Sequence, residues 1–281
     1  MKILLSGLAA LAVTAAPAAA STFYAVDEFD NLITFNSSAP GTTLSSVAIS
    51  GLAGSSILAM DARVRDGLLY ALSDNYGLFI INQSTGVATS VAPLALSGSN
   101  FAFDFNPTNA NLRIVSNDNT NYVRSFASGM LLTGANVAYG PGALSGVDPD
   151  ITAAAYTFND NDPGTGTTLF VIDSRNDVLA TQNPASGVLT RIGALGVNVG
   201  ARTSFDIVSV GSSNLGYAQI ADQFYTVDLT SGALNQIGRT DRSLFALAAA
   251  VPEPTTWAML IIGFGLVGAA NRRRSQAVVA A

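Results

Sequence analysis

Three aspartates sit in matching apolar surroundings along this chain. Asp61 ends Ile57-Leu58-Ala59-Met60-Asp61, Asp104 lies in Phe101-Ala102-Phe103-Asp104-Phe105, and Asp206 lies in Ser204-Phe205-Asp206-Ile207-Val208. A carboxylate inside an apolar run is costly to bury unless something compensates it. Two compensations suit a residue that recurs in this way. Carboxylates converging on one point could hold a hard cation such as Ca²⁺, which could polarise a carbonyl or activate water in a hydrolase or lactonase. Alternatively, each carboxylate accepts hydrogen bonds from the backbone of a neighbouring strand and ties adjacent sheets together. Repetition favours the structural use, and the metal reading is weakened by the equivalent places elsewhere, which fall at Ala154 or Ala155 and at Ala246.

Other oxygen-rich stretches are Asn117-Asp118-Asn119, Asp148-Pro149-Asp150 and Asn159-Asp160-Asn161-Asp162. None supplies the Gly and Glu of a twelve-residue calcium loop, and Asn and Asp more often build turns. The chain has no Cys and no His, which excludes thiol catalysis, a disulfide scaffold, His-based zinc sites and the usual Ser-His-Asp triad. Walker, dinucleotide and nucleophile-elbow signatures are missing as well. Glu28 is the one glutamate between residues 21 and 250, a poor basis for a glycosidase. That stretch carries nine Arg, no Lys and eighteen acidic residues, a net charge of −9 that repels nucleic acid. The expectation is a domain without catalytic residues. Tyr76, Asn119, Tyr122 and Tyr139, read as exposed loop residues, are candidates for contacting sugars.

The elements that must position these groups are short strands. Few Lys and Glu, many Thr, Asn and Gly, and no long 3.6-residue periodicity argue for β structure with many turns. A small residue or Pro precedes Gly at Gly41, Gly86, Gly129, Gly187 and Gly232, spaced 45, 43, 58 and 45 residues apart. Around each lie three strands, the first at residues 23–26, 69–72, 112–115, 169–172 and 216–220. A period of about 45 residues with several strands per unit is the pattern of a β-propeller blade. Each blade also needs a small, apolar innermost strand, and residues 57–61, 101–105, 151–156 and 204–208 fill that role for four units. The N-terminal unit lacks one, and residues 243–249 supply it from the far end of the chain. The expected fold is therefore all-β, a five-bladed β-propeller closed by a C-terminal strand joining the N-terminal blade. A sixth blade hidden between Gly129 and Gly187 is the runner-up, and a β-sandwich comes third. Gly/Pro-rich loops at residues 140–150 and 159–166 account for the long interval without another blade.

The ends carry sorting information. Lys2, an apolar stretch to Ala16 and the small residues Ala18-Ala19-Ala20 before Ser21 form a secretory signal peptide over residues 1–20, cleaved between Ala20 and Ser21. At the other end, Pro252-Glu253-Pro254-Thr255-Thr256-Trp257-Ala258 leads into an apolar segment to Ala270, then Arg272-Arg273-Arg274. As a helix those apolar residues reach about 21 Å, short of a ~30 Å hydrocarbon core unless Trp257 and the arginines extend the span. The arginines would stay cytoplasmic and leave the domain outside. This arrangement closely resembles the PEP-CTERM sorting tail in its Pro-Glu-Pro-x-x-Trp-Ala variant. The resemblance implies recognition by an exosortase after the secretion machinery has exported the chain. It also implies a membrane anchor through the C-terminal helix before processing, and a source that makes extracellular polysaccharide. The domain organisation expected is signal peptide 1–20, exported domain 21–250, sorting tail with transmembrane helix 251–275 and cytoplasmic tail 276–281.

The middle of the chain resembles a bacterial family known as domain of unknown function 4394. The match rests on Phe103-Asp104-Phe105-Asn106-Pro107, Arg113-Ile114-Val115-Ser116, Thr152-Ala153-Ala154-Ala155-Tyr156, Thr181-Gln182-Asn183-Pro184, Gly193-Ala194-Leu195-Gly196-Val197 and Phe205-Asp206-Ile207. That family name implies no activity. The reading expected is an exosortase-sorted surface or extracellular-matrix protein that binds exopolysaccharide or another protein. A Ca-dependent hydrolase or lactonase acting in the channel is the alternative.

Overall fold

A computed structural model describes residues 20–160, 162 and 164–251. Within them every regular element is a strand. The expected signal peptide, up to residue 19, and the expected transmembrane helix with its arginines lie outside the described residues.

Alternating apolar residues form β1 (Thr22–Asp27), β2 (Asn31–Asn36) and β3 (Ala39–Ala48). The second unit contains β4 (Ile57–Arg63), β5 (Leu68–Ser73), β6 (Gly77–Ile81) and β7 (Ala88–Pro93). The third contains β8 (Phe101–Phe105), β9 (Leu112–Ser116), β10 (Asn121–Arg124) and β11 (Leu131–Thr133). After β12 (Ala138–Tyr139) the fourth runs through β13 (Ile151–Tyr156), β14 (Leu169–Asp173), β15 (Val178–Gln182) and β16 (Val188–Ala194). The fifth comprises β17 (Ser204–Val210), β18 (Ser213–Ile220), β19 (Gln223–Val227) and β20 (Leu234–Arg239), and β21 (Leu244–Ala249) follows.

These strands form five sheets, antiparallel except where β12 joins the fourth, and the inner strands β21, β4, β8, β13 and β17 pack in that order around an axis. The expected closure is present. β21 pairs with β1, setting Phe23 opposite Ala249 and Asp27 opposite Leu244. First and last segments thus share one sheet, which leaves no open edge at the join. Among the described residues no sixth sheet lies between Gly129 and Gly187. Part of the extra length there is β12, which adds to the fourth blade beside β16 in parallel.

Each seam between neighbouring blades holds its own apolar cluster, so the core is a ring of five layers. At the closing seam Phe23 packs against Phe35, Tyr217 and Phe224, with ring centroids 5.0–5.9 Å from its own.

Four of the five expected glycine turns are alike. Asn82, Ser125, Asn183 and Asp228 each accept backbone N–H groups with their side chains, and Gly86, Gly129, Gly187 and Gly232 follow four residues later with positive φ. The fifth expectation is corrected. Pro40-Gly41 lies inside β3, because the β2–β3 hairpin turns at Ser37-Ser38 and pairs Asn36 with Ala39.

Candidate functional site

The three aspartates meet at the axis. Asp61, Asp104 and Asp206 are 6%, 2% and 2% exposed, and one oxygen of each lies within 4.8 Å of the others. Each carboxylate also reaches across a seam to the next inner strand. Asp61 Oδ2 accepts from Phe105 N–H at 2.8 Å, Asp104 Oδ1 from Tyr156 N–H at 3.2 Å, and Asp206 Oδ2 from Ala249 N–H at 2.6 Å. This is the seam-locking role expected of repeated carboxylates in a ring of blades.

Those bonds fix which residues are equivalent. Each donor follows the aspartate position of its own strand, so β13 offers Ala155 and β21 offers Ala248. Ala246 was the wrong equivalent. β21 carries one extra residue between Phe245 and Ala248, with Ala246 at φ 52°, and this bulge accounts for one of the two places by which the count moves. At the two seams that follow Ala155 and Ala248 no axial carboxylate bridges the inner strands, although Asp30 Oδ1 accepts from Ile57 N–H nearer the rim of the second of them. There the free N–H groups of Ile207 and Ala62 turn back to Asp206 Oδ1 and Asp61 Oδ1, each at 2.6 Å. Asp104 is different: the Phe105 N–H beside it is taken by Asp61, and its Oδ2 accepts no hydrogen bond among the described residues.

Burial is the first cause raising all three carboxyls above the ordinary aspartate range. The Asp206 charge adds to the rise at Asp61, and Asp61 and Asp206 add to it at Asp104. Asp206 is pushed up to about 6, with the Ala249 and Ile207 N–H groups opposing the rise. Such a cluster must be neutralised by shared protons or by a cation. Oxygens within 4.8 Å of one another can share an ion with Ca–O distances of about 2.4 Å.

Space around the cluster is uneven. On one side a small cavity of about 30 Å³, room for a water or two, touches Asp61 and Asp206. On the other, a cavity of about 170 Å³ is lined by the residues just before the aspartates, Met60, Phe103 and Phe205, and not by the carboxylates themselves.

The other expected site residues do not converge. Tyr122 and Tyr139 are buried, not exposed, because their hydroxyls serve the fold: Tyr122 accepts from Ser97 N–H at 3.0 Å and Tyr139 donates to Asp173 at 2.6 Å. Burial and that bond to Asp173 also raise the Tyr139 phenol above its ordinary range. Tyr76 is half-buried and donates to Gly98 O, and Asn119 donates to Asp148. In the acidic loops, Asp118 and Asp160 accept N–H groups two residues ahead, and Asp148 pairs with Arg175. These are turn and surface roles. Sequence reasoning missed the lining of the larger cavity, since Asn100 and Arg202 precede inner strands in loops with no recurring pattern.

No curated protein matches the chain. The PEP-CTERM protein-sorting motif matches residues 250–274, a span that contains Pro252, Glu253, Pro254, Trp257 and Arg272 to Arg274. This tail marks an exported protein sorted by an exosortase. The family model described as Domain of unknown function (DUF4394) matches residues 31–248, most of the propeller. Over more than three quarters of its length, then, this propeller is of one established sequence type, and the chain belongs to the DUF4394 family.

Proposed function

We propose that the chain is an exported surface or extracellular-matrix protein whose propeller is a non-catalytic binding module for exopolysaccharide. A secretory signal over residues 1–20 directs export. A C-terminal membrane helix within residues 251–275 holds the domain until exosortase processing, with residues 276–281 left in the cytoplasm. One observation carries the sorting part of this reading: the ring closes at Ala249, and the sorting motif begins at residue 250. A cut in the tail therefore removes no strand of the propeller. Mass spectrometry of the mature protein should find Ser21 first and a new C-terminus near Pro252 to Pro254. An intact Arg272-Arg273-Arg274 tail in the mature form would sink the processing step. A pull-down on the host's own exopolysaccharide tests the partner, and no retention counts against it.

A Ca-dependent hydrolase or lactonase acting in the channel is a second reading, favoured by the convergence of the three aspartates. It is the weaker one, because the carboxylates do not line the larger cavity and the space beside them is only about 30 Å³, room for a water or two. Metal analysis of the purified chain, with melting curves in chelator, separates the two. Bound Ca²⁺ whose removal lowers the melting temperature would favour the enzyme.

A further inference from the structure

The larger channel cavity has the features of a ligand site. Three of the five inner strands are bulged at their beginnings. Register shifts insert one extra residue at Leu58 in β4, at Thr152 in β13, and between Phe245 and Ala248 in β21. Leu58, Thr152 and Ala246 all line this cavity. Bulges re-aim side chains, and these three do so around one space.

The polar groups there are unused. Thr152 and Ser204 line the cavity, and their hydroxyl oxygens, turned away from it and buried, have no hydrogen-bond partner among the described residues. A buried hydroxyl without a partner costs roughly 1–3 kcal/mol, so rotating either side chain to meet a ligand in the cavity breaks no existing hydrogen bond and would lift that penalty. The Asn100 side chain lines the same space and makes no hydrogen bond among the described residues. Arg202 forms no ion pair among them, and its guanidinium lies 4.9 Å from the ring centroid of Phe245 at the same cavity.

Charge narrows the ligand. An anion entering the cavity approaches three carboxylates one residue deeper on the same strands, whereas a cation meets Arg202. A neutral ligand with an apolar face and several hydroxyls meets neither penalty. Its C–H face suits Phe101 and Phe245, and its hydroxyls suit Asn100, Thr152, Ser204 and the guanidinium fork. A volume of about 170 Å³ accommodates one six-membered ring of this kind. We infer that the cavity binds a single uncharged pyranose, such as a terminal or branch sugar of a glycan. The inference rests on the exopolysaccharide reading and names its site.

The test uses the full-length chain in a zwitterionic detergent, since sugar-headed detergents would compete. Methyl glycosides of glucose, galactose and mannose are titrated calorimetrically, with methyl glucuronide as the charged comparison. Expected is millimolar binding of at least one neutral glycoside, weakened tenfold or more by Thr152→Val and by Arg202→Ala. Arg202 is exposed, so its replacement keeps the test valid if Thr152→Val fails to fold. No binding of any neutral glycoside, preference for the glucuronide, or unaltered binding in both variants would overturn the assignment. If Arg202→Ala protein still adheres to purified exopolysaccharide as wild type does, the cavity assignment falls while the polysaccharide reading stands. If neither protein adheres, both fall.

Discussion

Replacing Asp104 with Asn should stabilise this protein above neutral pH. Asp104 is 2% exposed and has an oxygen within 4.8 Å of Asp61 and Asp206. At an effective dielectric of about 20, two charges that far apart repel by about 3.5 kcal/mol. Protonation relieves part of this in the wild type, which leaves a net gain of about 1–3 kcal/mol for removing the charge. Asn fits because its oxygen keeps the Tyr156 N–H, and its amide nitrogen replaces the oxygen that no N–H approaches. At Asp206 the same change would set the amide against the Ala249 or the Ile207 N–H. The pH dependence follows from the raised pKa values. Asp206 moves from 3.8 to about 6. Its protonated carboxyl supports the fold fully below pH 3.8, and that support is lost as pH rises through about 6. That rise corresponds to about 3 kcal/mol. Asp61 and Asp104 are raised with the same sign and extend the decline. Urea unfolding in EDTA between pH 4.5 and pH 9 should show wild-type stability falling with pH and a flatter curve for Asp104→Asn, the variant being more stable at pH 8. A less stable variant under those conditions refutes the shared-proton account. Rescue of wild type but not the variant by added CaCl₂ would instead identify a cation as the neutralising partner.

Two further perturbations test the seams. Gly232 has φ 84°, and a Cβ there would stand 2.8 Å from Gly193 O in the neighbouring blade, so Gly232→Ala should cost about 2–3 kcal/mol in chemical denaturation. Gly54→Ala, at φ 87° with open space around it, should cost only about 1 kcal/mol, and equal losses would deny the close approach. Phe23→Ala removes the ring shared by Phe35, Tyr217 and Phe224 and should cost about 3–5 kcal/mol, read as an earlier cooperative transition. A loss under 1 kcal/mol would show that the closing seam contributes little.

Much of this architecture is local information, and local information is legible. Period-two alternation within each strand, Gly at the turns, and a first unit without its inner strand led to five blades and to the pairing of residues 243–249 with 23–26. The sorting tail was equally readable, because Pro-Glu-Pro, the apolar segment and the arginines are contiguous in the chain. Tertiary structure decided what depends on a single residue of register. The bond from Ala249 N–H to Asp206 makes Ala248, not Ala246, the counterpart of Asp104; one of the two places is a bulge in β21, and a bulge leaves the apolar pattern of so short a strand almost unchanged. It also decided that Tyr122 and Tyr139 are buried and that Thr152, Ser204 and Arg202 share one cavity. Those side chains come from blades far apart in sequence, and only closure of the ring brings them around a common axis.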